Sequence, residues 1–396
     1  MSFNDLQKVL DARKKQSLYR RREVLQSPQG SSIKIDGKKL LNFSANDYLG
    51  LANHPEVVAS FKLAADEFGV GGGSSHLVNG HSYHHHQLEL EIAEFCGRSR
   101  ALLFCSGYMA NVGVINALVS KGDEVFQDKL NHASLLDGGL LSGATFRRYL
   151  HDDAASLEAK LTRSKAAKKL VVSDAVFSMD GNIANLPKLV DVTSRHDAWL
   201  MIDDAHGIGC IGDTGGGCSE KYRLNEQQVP VLIGTLGKAF GTSGAFVAGS
   251  DALIETLIQF ARTYIYTTSM PPAIAAATRT SLSIVKKESW RREHLAQLIA
   301  QFTLGCHKLG VVLLPSITPI QPIMIGSAQV AMQASENLKA LGVQVKAIRA
   351  PTVAVGQARL RVTLSAAHTE NDIKKLLSAL ALVFKEMNIE YTHRTT

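Results

Sequence analysis

Between residues 100 and 235 the chain alternates short apolar runs with stretches of helical period. Ala101–Cys105, Asp123–Gln127, Leu170–Ser173, Trp199–Ile202 and Val231–Ile233 read as strands, and Met109–Val119 and Pro187–Arg195 read as helices between them. Repeated strand–helix alternation, with turns at the strand ends, predicts a three-layer α/β large domain. Ahead of it, Phe3, Leu6, Val9, Leu10 and Leu18 recur at helical spacing and predict an amphipathic helix over residues 1–26 that ends in Arg20-Arg21-Arg22. Ser31–Leu41 follows as a hairpin turning at Asp36-Gly37. Beyond the alternating region, one long helix from about Pro271 to Leu309 leads to strands near Ile320–Ile325, Val343–Ile348 and Arg359–Thr363, a small α+β domain. The pattern divides the chain into an N-terminal segment (1–50), a large domain (51–285) and a small C-terminal domain (286–396).

Composition narrows the class of protein. The 396 residues are 45% hydrophobic and 20% charged, an ordinary globular balance. The net charge of +7 suits acidic substrates or nucleic acid, but the charge is scattered and no nucleic-acid-binding signature is present. The tight cluster Lys165–Lys169 reads as a solvated helix end. Five widely spaced cysteines without a CxxC pair fit a reducing compartment better than disulfides or zinc. The start of the chain has no apolar signal region and no run approaches membrane-spanning length, so the expectation is a cytoplasmic protein without a membrane partner.

The chemistry concentrates at the carboxyl ends of two buried strands. Val231–Ile233 runs into Gly234-Thr235-Leu236-Gly237-Lys238, a lysine in a glycine-flanked turn. A desolvated lysine there has a lowered pKa and becomes an amine nucleophile, with the Thr235 hydroxyl nearby for a phosphate. A surface lysine in a loop is the plain alternative. Trp199–Ile202 is followed by Asp203, Asp204 and His206, at the strand end where open α/β sheets bind ligands. Pyridoxal 5'-phosphate needs such a lysine and an acid beside its ring nitrogen. Asp203 is the candidate acid, one of the pair Asp203-Asp204 serving instead as a helix N-cap, and His206 lies within reach of the ring's phenolic oxygen. The strand–Gly–helix passage at Ser106-Gly107-Tyr108 offers backbone amides of Gly107 and Tyr108 to the phosphate. Gly69–Gly80 is glycine-rich, but an apparent helix precedes it, which argues against a dinucleotide fingerprint. The cluster His81, His84, His85, His86 invites a metal, yet no suitably spaced acid or cysteine completes a site, so no metal is expected.

Asp203-Asp204-Ala205-His206-Gly207 followed by Thr235-x-Gly237-Lys238-x-x-Gly241 resembles the α-oxoamine synthase family. The string Asn42–Leu51 (NFSANDYLGL) carries the same resemblance, which extends over nearly the whole chain. It implies the fold of fold-type-I pyridoxal-phosphate transferases, like that of aspartate aminotransferase, with Ala245–Gly249 an antiparallel strand. It also implies an acyltransferase that condenses an amino acid with an acyl thioester and releases carbon dioxide. Carried over residue by residue, Lys238 holds the cofactor and moves the α-proton, His132 of Asn131-His132-Ala133-Ser134 stacks on the ring, and Ser178 joins His206 at the phenolic oxygen. Thr268, in a YSTSMPP-like string, reaches the phosphate of the neighbouring subunit, which implies a homodimer. Asn46 lies near the amino-acid carboxylate, with Tyr48 and Leu49 as packing. Arg349 binds the α-carboxylate, Thr352 contacts the acyl substrate, and Arg20 (or a neighbour in Arg20–Arg22) clamps the acyl chain's distal carboxylate. His85 matches a recurrent histidine of no assigned role, and Ser75-His76 stands where many relatives have an arginine, so that arginine's role has no residue here.

The arginine cluster at Arg20, the loop Ala347–Val353 and the ending Arg359–Thr369 favour the branch that joins L-alanine to pimeloyl-CoA or pimeloyl-ACP, giving 8-amino-7-oxononanoate for biotin. The alternatives are the branch that joins glycine to acetyl-CoA, and a non-catalytic cofactor- or partner-binding protein. The last predicts loss of the lysine, the acid or the stacking histidine, and all three are present.

Overall fold

The computed structural model describes residues 3–16 and 18–389. A hairpin of β1 (Ser32–Ile35) and β2 (Lys38–Asn42) turns at Asp36 and Gly37, both at positive φ. The large sheet is built from β3 (Arg100–Phe104), β4 (Glu124–Asp128), β5 (Thr145–Tyr149), β6 (Lys169–Asp174), β7 (Trp199–Asp203), β8 (Val231–Thr235) and β9 (Ala245–Gly249). Its order is β3-β9-β8-β7-β6-β4-β5. β9 runs antiparallel to both of its neighbours, and every other pairing in the sheet is parallel. A third sheet, β10-β13-β12, is antiparallel and comprises β10 (Ile320–Gly326), β12 (Lys346–Ile348) and β13 (Ala358–Thr363). The short β11 (Val343–Gln344) leaves that neighbourhood to lie parallel beside β2.

Alternation along the strands of the large sheet explains why it is a middle layer. Leu103, Phe126, Val171, Ile202, Leu232 and Phe246 face one core, and Leu102, Val125, Leu170, Met201, Val231 and Val247 face the other. Strands apolar on both faces must be covered on both sides, which parallel strands with helical crossovers achieve. All the parallel strands therefore present their carboxyl ends along one edge, where Asp128, Asp174, Asp203 and Thr235 stand.

Three predicted elements differ. The first helix spans Asn4–Lys15 and stops well short of residue 26. The following segment is extended because tertiary partners require it: Tyr19 carbonyl accepts from Arg349, Glu23 pairs with Lys339 and Lys346, and Gln26 N donates to Lys34 carbonyl. A twelve-residue helix with an exposed apolar side has little packing to extend it further. The long helix expected from Pro271 to Leu309 is two, Pro272–Lys287 and Trp290–Lys308. At the break, Arg291 pairs with Glu288 at 2.7 Å and donates to Leu49 carbonyl at 3.0 Å, redirecting the second helix toward the C-terminal helix Glu370–Glu386. The single strand expected at Val343–Ile348 divides between two sheets, as β11 and β12. Among the described residues no helix is long and apolar enough to cross a membrane.

Gly234 on β8 tests this packing. A Cβ there would meet the ring of the fully buried Phe246 at 2.2 Å. Gly234→Ala should lower the apparent melting temperature by several degrees, an overpacking penalty of ~1–3 kcal/mol that outweighs the usual Gly→Ala gain. An unchanged or higher midpoint in a thermal melt would contradict it.

Candidate active site

Lys238 follows β8 by three residues, in a turn closed by Leu236 N to Gly244 carbonyl, Thr242 N to Leu236 carbonyl and Gly241 N to Lys238 carbonyl. Gly241 and Gly244 hold positive φ, which the turn needs. Lys238 Nζ lies 2.8 Å from His206 Nε2, and His206 Nδ1 lies 2.6 Å from the Tyr48 hydroxyl. That hydroxyl reaches Asn46 Oδ1 at 3.2 Å, and Asn46 Oδ1 also accepts from Arg361 Nη1 and Nη2 at 3.3 Å each. The directions follow from Asn46 Oδ1, which only accepts. Tyr48 O–H donates to it, His206 Nδ1–H donates to Tyr48, and His206 Nε2 accepts from the lysine. Burial, then the charges of Lys238 and Arg361, hold the His206 pKa well below its ordinary value, so the imidazole is neutral. Burial lowers the Lys238 pKa to about 8, with Asp203 and Asp174 opposing and Arg361 reinforcing the shift.

Asp203 closes the adjacent strand. Its Oδ2 accepts from Asn111 Nδ2 at 2.6 Å and its Oδ1 from Ala205 N at 3.0 Å. Asn111 also donates to Ser134 Oγ at 2.9 Å, and Ser134 Oγ lies 2.7 Å from His132 Nδ1. His132 N donates to Asp174 Oδ2 at 2.7 Å, and the residue is exposed. Burial, then Lys238, lowers the His132 pKa against the pull of Asp203. Asp203 and Asp204 are both buried and differ in their partners. Asp204 points into the core, where its Oδ2 accepts from Cys218 N at 2.5 Å at the start of the helix Gly217–Lys221. Desolvation raises its pKa to about 7. Asp204 is thus tied to the first turn of that helix, and Asp203 is held by Asn111 and Ala205 N.

The remaining candidates fall in two places. Gly107 and Tyr108 open the helix Gly107–Leu118, where Ser106 Oγ accepts from Met109 N and a Cβ on Gly107 would meet nothing within 4 Å. Thr235 Oγ donates to Gly244 carbonyl at 3.0 Å and accepts from Gly237 N, so its hydroxyl serves the lysine turn. Ser178 lends its carbonyl to Arg361 Nε at 2.6 Å. Thr268 is exposed, and its carbonyl accepts from Cys105 Sγ. Away from this network, Arg349 Nη2 donates to Tyr19 carbonyl at 3.2 Å, which sets it beside the exposed Arg20, and Thr352 N donates to Arg349 carbonyl.

Asn111 and Asp174, which hold Asp203 and His132, were not singled out from the sequence, and neither were the roles of two residues beside the lysine. Arg361 sits at an interior position of the wholly buried strand β13, and a guanidinium inside such a strand was the available signal. Tyr48, read as packing, is the link between His206 and Asn46. The statement that no acid completes the histidine cluster is also corrected: Glu89 Oε2 lies 3.9 Å from His81 Nε2. His85 neither sits on the helix surface nor lines the cleft. It is buried, with Nδ1 accepting from Ser82 N and Nε2 2.8 Å from Met270 carbonyl.

A family model described as aminotransferase class I and II matches residues 38–380. The 8-amino-7-oxononanoate synthase of Pseudomonas paraeruginosa is 59% identical over 388 residues, which cover 98% of this chain and 96% of that protein. Among solved structures, that of the 8-amino-7-oxononanoate synthase of Francisella tularensis gives a TM-score of 0.77 at 32% identity, covering 88% of this chain and 99% of the other. A structure of SPT with PLP gives 0.94 at 29% identity, covering 98% of this chain and 100% of the other.

The lowered pKa of Lys238 makes a signed prediction. Below pH 8 the amine is mostly protonated and cannot attack an aldehyde, and above it the free amine dominates. The rate at which cofactor-free protein captures added pyridoxal phosphate should rise through a midpoint near pH 8 and then level off. Stopped-flow absorbance reads the rate, and a midpoint above pH 10, that of an ordinary lysine, would contradict the site's electrostatics.

Proposed function

The chain belongs to the aminotransferase class I and II family, and from that premise we propose that it condenses L-alanine with a pimeloyl thioester, carried on coenzyme A or acyl carrier protein. The products are 8-amino-7-oxononanoate, a biotin precursor, carbon dioxide and the free thiol. The large sheet with its antiparallel β9 is the arrangement of fold-type-I transferases, and pyridoxal phosphate is the cofactor. The observation that carries the reading is the likeness, over almost the full length of both chains, to an 8-amino-7-oxononanoate synthase.

The residues present fit the cofactor. A desolvated lysine, an acid on the neighbouring strand and an open helix N-terminus stand along one sheet edge. When bound, pyridoxal phosphate supplies an aldehyde that takes up the amino group and a ring that accepts the electron pair released at Cα. Asp203, fixed by Asn111 and Ala205 N, keeps a proton on the ring nitrogen. His132 covers one ring face. Its orientation is set by Ser134 and by the bond from its own N–H to Asp174. The amides of Gly107 and Tyr108 hold the phosphate, with Thr235 bracing the turn beside it and Thr268 of a second copy completing the site in a homodimer. His206, neutral and fixed by Tyr48, and Ser178 face the phenolic oxygen.

Arg361 is the better fit for the amino-acid carboxylate than Arg349. It is buried with Asn46 beside the Lys238–His206 pair, and its charge already acts on both pKa values. Arg349, with Arg20 and Thr352, then takes the distal end of the acyl chain. Lys238, with its amine near its own pKa, would remove the α-proton. The new C–C bond joins alanine Cα to the thioester carbonyl as the thiolate leaves. Loss of the original carboxyl as carbon dioxide follows, and Lys238 returns a proton to Cα.

Purified, cofactor-loaded protein should release thiol and carbon dioxide from L-alanine plus pimeloyl thioester, and Lys238→Ala should abolish both. A preference for glycine plus acetyl thioester would overturn the assignment. Arg361→Lys loses planar two-point contact and should raise KM for L-alanine roughly 10–100-fold with a smaller change in kcat. The same loss in Arg349→Lys, with Arg361→Lys unaffected, would return the α-carboxylate to Arg349.

A further inference from the structure

The stretch His76–Glu89 takes no part in the chemistry above, yet its side chains converge. A short π-helical turn, His76–Gly80, carries the chain to Ser82, which caps the helix Tyr83–Cys96. This folds His81, outside the helix, back over His86 and Glu89, which share a face at i and i+3. One nitrogen each of His81 and His86 and one carboxylate oxygen of Glu89 lie within 4.8 Å of one another. His81 Nε2 lies 3.9 Å from Glu89 Oε2, too long for a hydrogen bond. Donors around a tetrahedral zinc ion, at about 2.0–2.2 Å from the metal, stand roughly 3.4 Å from each other, so a small closure brings this set to ligating distance.

Two further features belong to a built site. His81 Nδ1 lies 3.0 Å from His76 Nδ1, the kind of partner that fixes a ligating histidine's tautomer and leaves its Nε2 lone pair outward. His76 is 7% exposed, stacks on Tyr264 with ring centroids 5.1 Å apart, and has no hydrogen-bond partner at Nε2. The fold thus leaves one buried nitrogen unpaired while holding the ring against His81. His85 is excluded as a ligand, since Ser82 N and Met270 carbonyl occupy both of its nitrogens. Glu89 is itself fixed, its Oε1 accepting from Leu103 N at 3.0 Å.

We propose that His81, His86 and Glu89 bind one divalent transition-metal ion of the zinc class, with His76 as a positioning residue for His81. Two nitrogens and one oxygen suit zinc or cobalt rather than calcium or magnesium, and the exposed side of His81 and His86 leaves a coordination position for water. The ion joins the N-terminus of the helix Tyr83–Cys96 to the turn His76–Gly80. That turn is anchored to the segment carrying Thr268 through Ser269 Oγ to Gly80 carbonyl and Ser269 N to Ser74 carbonyl. Its role is to stiffen this loop.

The test uses cofactor-loaded, tag-free protein stripped with a chelator and titrated with Zn2+ by calorimetry. The expected result is one ion per chain and a raised melting temperature. His86→Gln, on the surface, and Glu89→Gln, which keeps the acceptor for Leu103 N, should each weaken binding at least ~100-fold. His76→Gln should weaken it about 10-fold, and His84→Gln, outside the set, should leave it unchanged. Co2+ should give the visible absorption of a four-coordinate site, lost in His86→Gln. Absence of stoichiometric binding, or binding equally tight in His86→Gln and Glu89→Gln, overturns the site.

Discussion

The contact between the amine of Lys238 and the neutral imidazole of His206 is the interaction on which the site depends. A buried lysine without a partner is strongly disfavoured as an ammonium, whereas one that donates to an imidazole nitrogen stays within reach of neutral pH. The 2.8 Å contact supplies that partner, and although burial lowers the lysine's pKa, the carboxylates of Asp203, Asp174 and Asp204 oppose the shift and leave it at about 8. The imidazole serves only as an acceptor on that side because Tyr48 takes its other proton. Tyr48 is entirely buried, which raises its own pKa far above the ordinary value and keeps its hydroxyl protonated. The chain of donors from lysine to Asn46 therefore has one sense at any pH the protein meets.

Three carboxylates surround that lysine in sequence or space, and their environments separate their roles. Asp204 points into the core, where one of its oxygens has no partner, and desolvation favours its neutral form. Asp174 is raised well above the usual range by burial and by Asp203, and is bound to His132 N. Asp203, alone of the three, receives both a neutral side-chain amide donor, Asn111 Nδ2, and a backbone N–H, that of Ala205. Adjacent acids in sequence alternate across the strand end, so one must face the ligand when the other faces the core.

Much of this was legible because buried parallel strands announce their carboxyl ends. Asp203 follows an apolar run directly, and Lys238, His132 and His206 lie within a few residues of such strand ends. Less legible were residues whose partners are remote in sequence. Arg361 meets Asn46 across 315 positions, and Arg291 meets Leu49 across 242. No local pattern encodes the second of these contacts, and with it the break at Glu288 was invisible. The N-terminal helix was overextended for the same reason, since Glu23 and Tyr19 are extended by partners beyond residue 338. Glu89 was overlooked as a neighbour of His81 because the chain reverses at the cap Ser82, which no helical spacing rule spans.

The segment Asn42–Gly50 shows how the two sheets produce one site. Its backbone is clamped to the end of β13 and the residues after it: Thr363 N donates to Phe43 carbonyl, Ser365 Oγ to Asp47 carbonyl and Ala366 N to Tyr48 carbonyl. Held this way, Asn46 stands between Tyr48 and Arg361. Its Oδ1 has two lone pairs but three donors at 3.2–3.3 Å, so one donor is in surplus and all are long. A guanidinium in such a position gives up a weak amide contact for a charge-assisted one when a carboxylate arrives, leaving no acceptor orphaned. Arg361 Nε stays fixed on Ser178 carbonyl at 2.6 Å, while its Nη atoms hold only long contacts, to Asn46 Oδ1 and Thr363 Oγ1, at 3.3 Å. The residue proposed to read the carboxylate therefore shares Asn46 with Tyr48, whose hydroxyl meets the His206 that contacts the lysine.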